Sequence, residues 1–98
     1  MKAATQTCPI GKVVDLLGDS CSILILRDLL EGPKRYSELE KSLESSSRTL
    51  VKKLKHLEHE GLINHVHAGT HGTYRLSKKG TAFQKVADAM RVYGKKYL

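Results

Sequence analysis

The sequence predicts a mainly α domain with one small β-hairpin, a three-helix core followed by a wing and framed by helices at both ends. Three observations lead there. Apolar residues recur at helical spacing in segments punctuated by Gly, Pro and Ser; two short helical segments flank a break of about three residues; two strand-like runs follow the second of them. At 98 residues the chain is below the roughly 150 at which a second domain becomes expected, so residues 1–98 are read as one unit.

In the first segment Ile10, Val13, Val14 and Leu17 keep helical spacing behind Pro9, which suits a first helical turn, and Gly18 closes it. The second, Ser20 to Glu31, contains Ile23-Leu24-Ile25-Leu26. Its length, an Asp or Ser cap and the Gly32-Pro33 stop favour a helix apolar on most sides, central to the core. Ser37 is expected to open a third helix through a Ser-x-x-Glu capping box with Glu40, with Leu39 and Leu43 facing inward. After Glu44-Ser45-Ser46, Ser47 is the expected cap of a fourth helix running to about Glu60, with Gly61 in the left-handed position that ends it. Two short helices across so short a turn form a helix-turn-helix pattern. Leu62 to His67 and Thr73 to Leu76, separated by Ala68 to Gly72, predict a hairpin placed as a wing. Ser77 then caps an expected last helix in which Phe83, Val86, Ala87, Met90, Tyr93 and Tyr97 recur at three- and four-residue intervals.

Composition excludes several classes. With 40% hydrophobic and 28% charged residues the chain is ordinary globular material, and no apolar run approaches the ~20 residues of a membrane span. The N-terminus lacks an apolar signal region, which predicts a soluble, cytoplasmic protein. Cys8 and Cys21, with twelve residues between them, match no zinc-ligand spacing and are read as thiols. Phosphate-cradling glycine motifs, nucleophile elbows and paired acids in a likely cleft are missing, so no enzyme and no cofactor is expected.

Charge gives the positive clue. The chain carries 17 basic against 10 acidic side chains, a net of +7 that favours a polyanionic partner. Residues 1–44 hold six basic and seven acidic groups, whereas residues 45–98 hold eleven and three, a net of +8. The contact surface belongs in the second half. On a helical wheel Leu50, Leu54 and Leu57 fall within about 40° of one another and define a buried stripe. Arg48, Thr49, Lys52, Lys55, His56 and His59 project the other way, with Lys53 flanking the core. Such a helix fits the major groove of B-DNA, its N-terminal turn deepest. Ser46, Ser47, Arg48, Thr49 and Lys52 are therefore the expected base readers. Lys34, Arg35, Ser37, Lys53, Lys55, His56, Arg75 and Lys78 are the expected phosphate contacts. The same basic face on a docking domain would instead meet an acidic protein.

The ordered set Cys8-Pro9-Ile10, Leu17-Gly18-Asp19, Ile25 to Leu29, Gly32 to Leu39, Ser47 to Leu50, Leu54 to Glu58, Gly61-Leu62-Ile63 and Tyr74 to Gly80 resembles the HxlR-type, MarR-like winged helix-turn-helix transcriptional regulators. The resemblance implies a homodimer joined through its first and last helices, bound to double-stranded DNA at an inverted repeat. Residues 1–18 and 78–98 are then the dimerisation elements, with Ile10, Val13, Val14, Leu17, Phe83, Val86, Met90, Tyr93 and Tyr97 at the interface. The apolar stripe of the last helix supports a dimer independently, because a small monomer does not readily cover it. Cys21 stands where the family usually has Trp, Ser45-Ser46 where it has Gly-Ile, and the wing is shorter and lacks the family's prolines.

The resemblance also implies that Cys8, placed where some members sense quinones, aldehydes or oxidants, is a candidate redox sensor for a small-molecule or oxidant effector. Cys21 is read as core. Five histidines, His56, His59, His65, His67 and His71, cluster in one third of the chain, but His56 and His59 belong to the expected DNA face, His65 and His67 share one side of a strand with no carboxylate beside them, and no metal is assigned.

Overall fold

A computed structural model describes residues 7–44, 46–68 and 71–98, with Ala68 and His71 described by backbone alone. Residues 1–6 of the expected dimerisation element, Ser45 of the interhelical break and Gly69-Thr70 of the wing loop lie outside the described residues. Along the chain run α1 (Pro9–Leu17), α2 (Ser20–Leu29), β1 (Lys34–Arg35), α3 (Tyr36–Leu43), α4 (Ser47–His59), β2 (Ile63–Ala68), β3 (His71–Leu76), the single turn α5 (Lys78–Thr81) and α6 (Gln84–Tyr97). The order is that of a winged helix-turn-helix. None of the described helices is long and apolar enough to cross a membrane.

The core forms where α2 meets α4. Ile25 and Leu26 of α2 are fully buried, as are Leu50 and Leu57 of α4, and Leu29 and Leu54 are nearly so. Leu39 of α3, Leu62 and Ile63 at the start of the wing, and Phe83 and Ala87 before and within α6 complete the cluster. Asp19 starts α2 by accepting the Ser22 N–H at 2.8 Å, so one donor that helix geometry leaves free is satisfied.

Four local expectations are corrected. The third helix does not start on a Ser37–Glu40 capping box. Its N-cap is Arg35, whose N–H donates to Glu38 at 2.8 Å, and Glu40 instead accepts the Ser47 hydroxyl at 2.6 Å. The cause is a third strand: Lys34 pairs with Tyr74 and Arg35 with Thr73, which holds this segment extended up to the helix start. The sheet order is β1-β3-β2, antiparallel throughout. Second, α4 is capped by Ser46 rather than Ser47; the Ser46 Oγ accepts the Thr49 N–H at 3.2 Å. Third, the hairpin is longer than expected, since pairing continues through His67–Gly72 and Ala68–His71. Fourth, the last helix is divided at Ala82–Phe83. Ser77 caps the short α5, accepting the Gly80 N–H at 3.1 Å, and α6 begins afterwards.

Close approach explains the division. The Ser77 N–H donates to the Leu62 carbonyl at 2.9 Å, drawing α5 onto the base of the wing. A Cβ on Gly80 would lie 2.0 Å from that same carbonyl oxygen, so only glycine lets the turn pack there. Gly61 takes φ +80 and ends α4 as expected.

At the end of α3, Glu44 also adopts a left-handed conformation, with φ 51. A side chain strains that region, which glycine occupies freely. Glu44→Gly should therefore raise unfolding stability by about 0.5–1 kcal/mol, read from urea midpoints at constant slope. An unchanged or lowered midpoint contradicts the strain.

Candidate nucleic-acid interface

With Leu50, Leu54 and Leu57 fixed in the core, helix geometry decides what α4 presents to solvent. Arg48, Thr49, Lys52, Lys55, His56 and His59 are exposed. Among the described residues no ion pair engages Arg48, Lys52 or Lys55. Lys53 differs. Its Nζ lies 3.0 Å from Asp19 Oδ2, so this cation is tied to the cap of α2 rather than offered outward with the others. On the same flank His56 Nε2 lies 3.3 Å from the Leu16 carbonyl oxygen, to which a protonated Nε2 donates. The helix thus has a flank turned toward α1 and α2, carrying Lys53 and His56, and an open flank carrying Ser47, Arg48, Val51, Lys52 and Lys55.

The hydroxyls at the leading turn are already engaged. Ser46 donates to Thr49 Oγ1 at 2.9 Å, Ser47 donates to Glu40, and the Tyr36 hydroxyl donates to the Ser47 carbonyl at 3.4 Å. The last two bonds tie α3 to the start of α4. Arg48 and Lys52 are left as the exposed charged donors of the first two turns.

The other expected contacts flank this helix. β1 brings Lys34 and Arg35 onto the sheet beside β3; Arg35 is exposed, while Lys34 is half-buried and 3.2 Å from Glu31. Ser37 is exposed in the first turn of α3, and Arg75 and Lys78 are exposed at the end of the wing. Lys79, which sequence reasoning passed over, donates to the Glu60 carbonyl at 2.9 Å and so sits at the C-terminus of α4, where a cation is favoured. Within the wing the His65 ring stacks on Tyr74 at 4.1 Å and 7°, with His67 tilted 4.0 Å away. Burial raises the Tyr74 pKa, and the neighbouring Glu58 and Tyr36 add to it. Among the described residues no group of three His, Cys, Asp or Glu is arranged to hold a metal.

A second surface involves α1 and α6. Ile10, Val13, Val14, Val86, Met90, Tyr93 and Tyr97 are exposed, Tyr93 at 61% and Tyr97 at 63%. Val92, at 65%, is also exposed and was not anticipated. Leu17 and Phe83 differ from the others in being buried within the monomer, at 4% and 8%. They form the floor of an apolar groove whose walls include Val13, Val14, Ile23, Val86 and Met90. Cys8, extended at φ −93 and ψ 126, precedes α1 with its thiol exposed, and Cys21 is partly buried against the core.

The family model described as HxlR-like helix-turn-helix matches residues 16–98. The HTH-type transcriptional regulator sll1512 of Synechocystis is 38% identical over 95 residues, covering 93% of this chain and 70% of that one. The HTH-type transcriptional regulator YodB of Bacillus subtilis is 30% identical over 95 residues, covering 92% and 85%. The solved structure of quinone-bound YodB superposes with a TM-score of 0.80 over 92% of this chain and 99% of that one. A MarR-family structure from Porphyromonas gingivalis W83, at 24% identity, shares the fold with a TM-score of 0.87 and 95% of each chain covered. These relatives are transcriptional regulators, a non-enzymatic class.

The Asp19–Lys53 contact yields a pH prediction. Partial burial pushes the Asp19 carboxyl up, but the Ser22 N–H, the Lys53 ammonium and the Ser22 hydroxyl together outweigh it, leaving the pKa below its ordinary value. A carboxyl lowered by folding stabilises the fold above its unfolded pKa of about 3.9 and loses that contribution as pH falls through the folded value. Asp19→Asn retains a capping side chain. It should cost under about 1 kcal/mol at pH 7, because the pair is partly solvated, and the difference should shrink as pH falls below the unfolded value and vanish once the carboxyl is protonated in the folded chain. A penalty that persists at low pH contradicts the charge assignment.

Proposed function

We propose, starting from the fact that the chain belongs to the HxlR-like helix-turn-helix family of transcriptional regulators, that it acts as a homodimer on an inverted-repeat DNA site. One α4 enters the major groove of each half-site. The observation that carries this reading is the outward face of α4, on which Arg48, Lys52 and Lys55 stand exposed and, among the described residues, outside any ion pair, while the leucine seam beneath is buried. Arg48 and Lys52 read base edges, for which guanine O6 and N7 are the matching acceptors. Ser46, Ser47 and Thr49 hold the leading turn against the bases. Lys55, Arg35, Ser37, Arg75 and Lys78 meet phosphates, joined by Lys34, Lys53 and His56 from the flanks.

The apolar surface of α1 and α6 supports the dimer. Ile10, Val13, Val14, Val86, Met90, Tyr93 and Tyr97 leave more contiguous apolar area in water than a monomeric domain gains by exposing, and burying it against its own copy gives a closed two-fold contact. Two-fold symmetry then places the recognition helices about 34–36 Å apart, one turn of DNA.

Two experiments test this reading. In mobility shifts at fixed salt, Arg48→Ala should lower the preference for a selected site over a scrambled one by about 1–3 kcal/mol, whereas Lys34→Ala should weaken both alike. Identical behaviour of the two variants, or sequence-blind retention by the wild type, contradicts the assignment and favours a docking domain. In sedimentation, Met90→Glu should raise the dimer dissociation constant roughly tenfold or more, since it buries a charge at the centre of the contact. A wild-type monomer at micromolar concentration overturns the dimer.

A further inference from the structure

Charge does not explain Val51. It lies on the open flank of α4 and keeps 40% of its surface in water, between Arg48, Lys52 and Lys55. Together with Ser47 these residues line a shallow depression in which Val51 is the one apolar residue among three cations. On helix propensity alone the position favours Lys, Arg or Ala over a β-branched residue, and an exposed valine forgoes the burial that stabilises apolar side chains. Among the described residues it is left partly open to solvent.

The geometry of α4 decides which flank faces a groove. Counting 100° per residue from Leu50, Val51 falls at about 100°, Lys55 at about 140°, Arg48 at about 160° and Lys52 at about 200°. His56 and Lys53, at about 240° and 300° on the same wheel, face Leu16 and Asp19 on α1 and α2. The side of the helix free to enter a groove is therefore centred between Val51 and Lys52, with Arg48 and Lys55 within it.

Resting on the DNA-reading function above, we infer that Val51 is a specificity-determining residue that receives the C5-methyl group of a thymine, next to the base pair read by Arg48. Among the four standard bases only thymine presents a methyl group in the major groove, and apolar side chains are the matching partners. An apolar side chain set among cations suits that environment, because the methyl leaves water while the surrounding phosphates and base acceptors keep charged partners.

The test uses the full chain and a site selected from a random DNA pool at stated salt. Each thymine is replaced singly by deoxyuridine, which removes the methyl and keeps every hydrogen-bonding group. For the wild type, one thymine in each half-site should weaken binding about fourfold on replacement, the equivalent of one buried methyl group. In Val51→Ala the same replacement should have little effect, whereas Lys52→Ala should retain the wild-type sensitivity to uridine. Val51 is exposed, so the alanine variant is expected to fold, which its thermal melt checks. A preferred sequence without such a thymine, or undiminished sensitivity in Val51→Ala, overturns the Val51 assignment alone. A pool that yields no preferred sequence overturns the DNA-reading function, and this inference with it.

Discussion

The burial of Leu50, Leu54 and Leu57 against Ile25, Leu26 and Leu29 is the constraint on which the other features depend. Each fully buried leucine contributes about 1.5–3 kcal/mol relative to exposure, and truncation in such a core costs about 2–5 kcal/mol. Rotating α4 by a single residue position would carry a lysine toward the seam and a leucine out of it. Desolvating the ammonium would cost several kcal/mol more. The seam therefore fixes the helix about its own axis, and with it the direction of Arg48, Lys52 and Lys55.

Side-chain bonds refine that setting. Asp19 caps α2 and also holds Lys53, so one carboxylate links the start of the central helix to the flank of α4. Glu40 and Tyr36 of α3 reach Ser47, and Lys79 reaches the carbonyl of Glu60 at the other end. The helix that carries the proposed contacts is thus held at its first turn, its flank and its C-terminus, a form of pre-organisation that leaves less to order on binding. The apolar surface of α1 and α6 uses different residues, so the proposed pairing of two chains and the proposed contact with DNA do not compete for the same side chains.

Most of this was readable in the sequence where local periodicity is strong. The leucine seam, the outward cations, the Gly61 stop and the wing all follow from spacing and turn chemistry. The differences have a common origin in long-range contacts. Ser37 looked like a cap because Ser-x-x-Glu is a local signal, yet pairing of Lys34-Arg35 with residues almost forty positions away keeps the chain extended through Arg35. Leu17 and Phe83 shared the stripe expected at the dimer contact, but a stripe on a terminal helix has one edge toward its own core, and spacing does not say which residues occupy it. Val51 went unnoticed because a single valine beside a leucine stripe reads as core until the neighbouring helices are in place.

The most direct measurement is a DNA titration followed by backbone amide shifts in the isotopically labelled chain, with a selected site and a scrambled one. The account predicts that the largest differences between the two DNAs fall on Arg48 to Lys55, with smaller, sequence-independent shifts at Arg35, Ser37, Arg75 and Lys78. Shifts centred on Val86 to Tyr97 with α4 unmoved would contradict it.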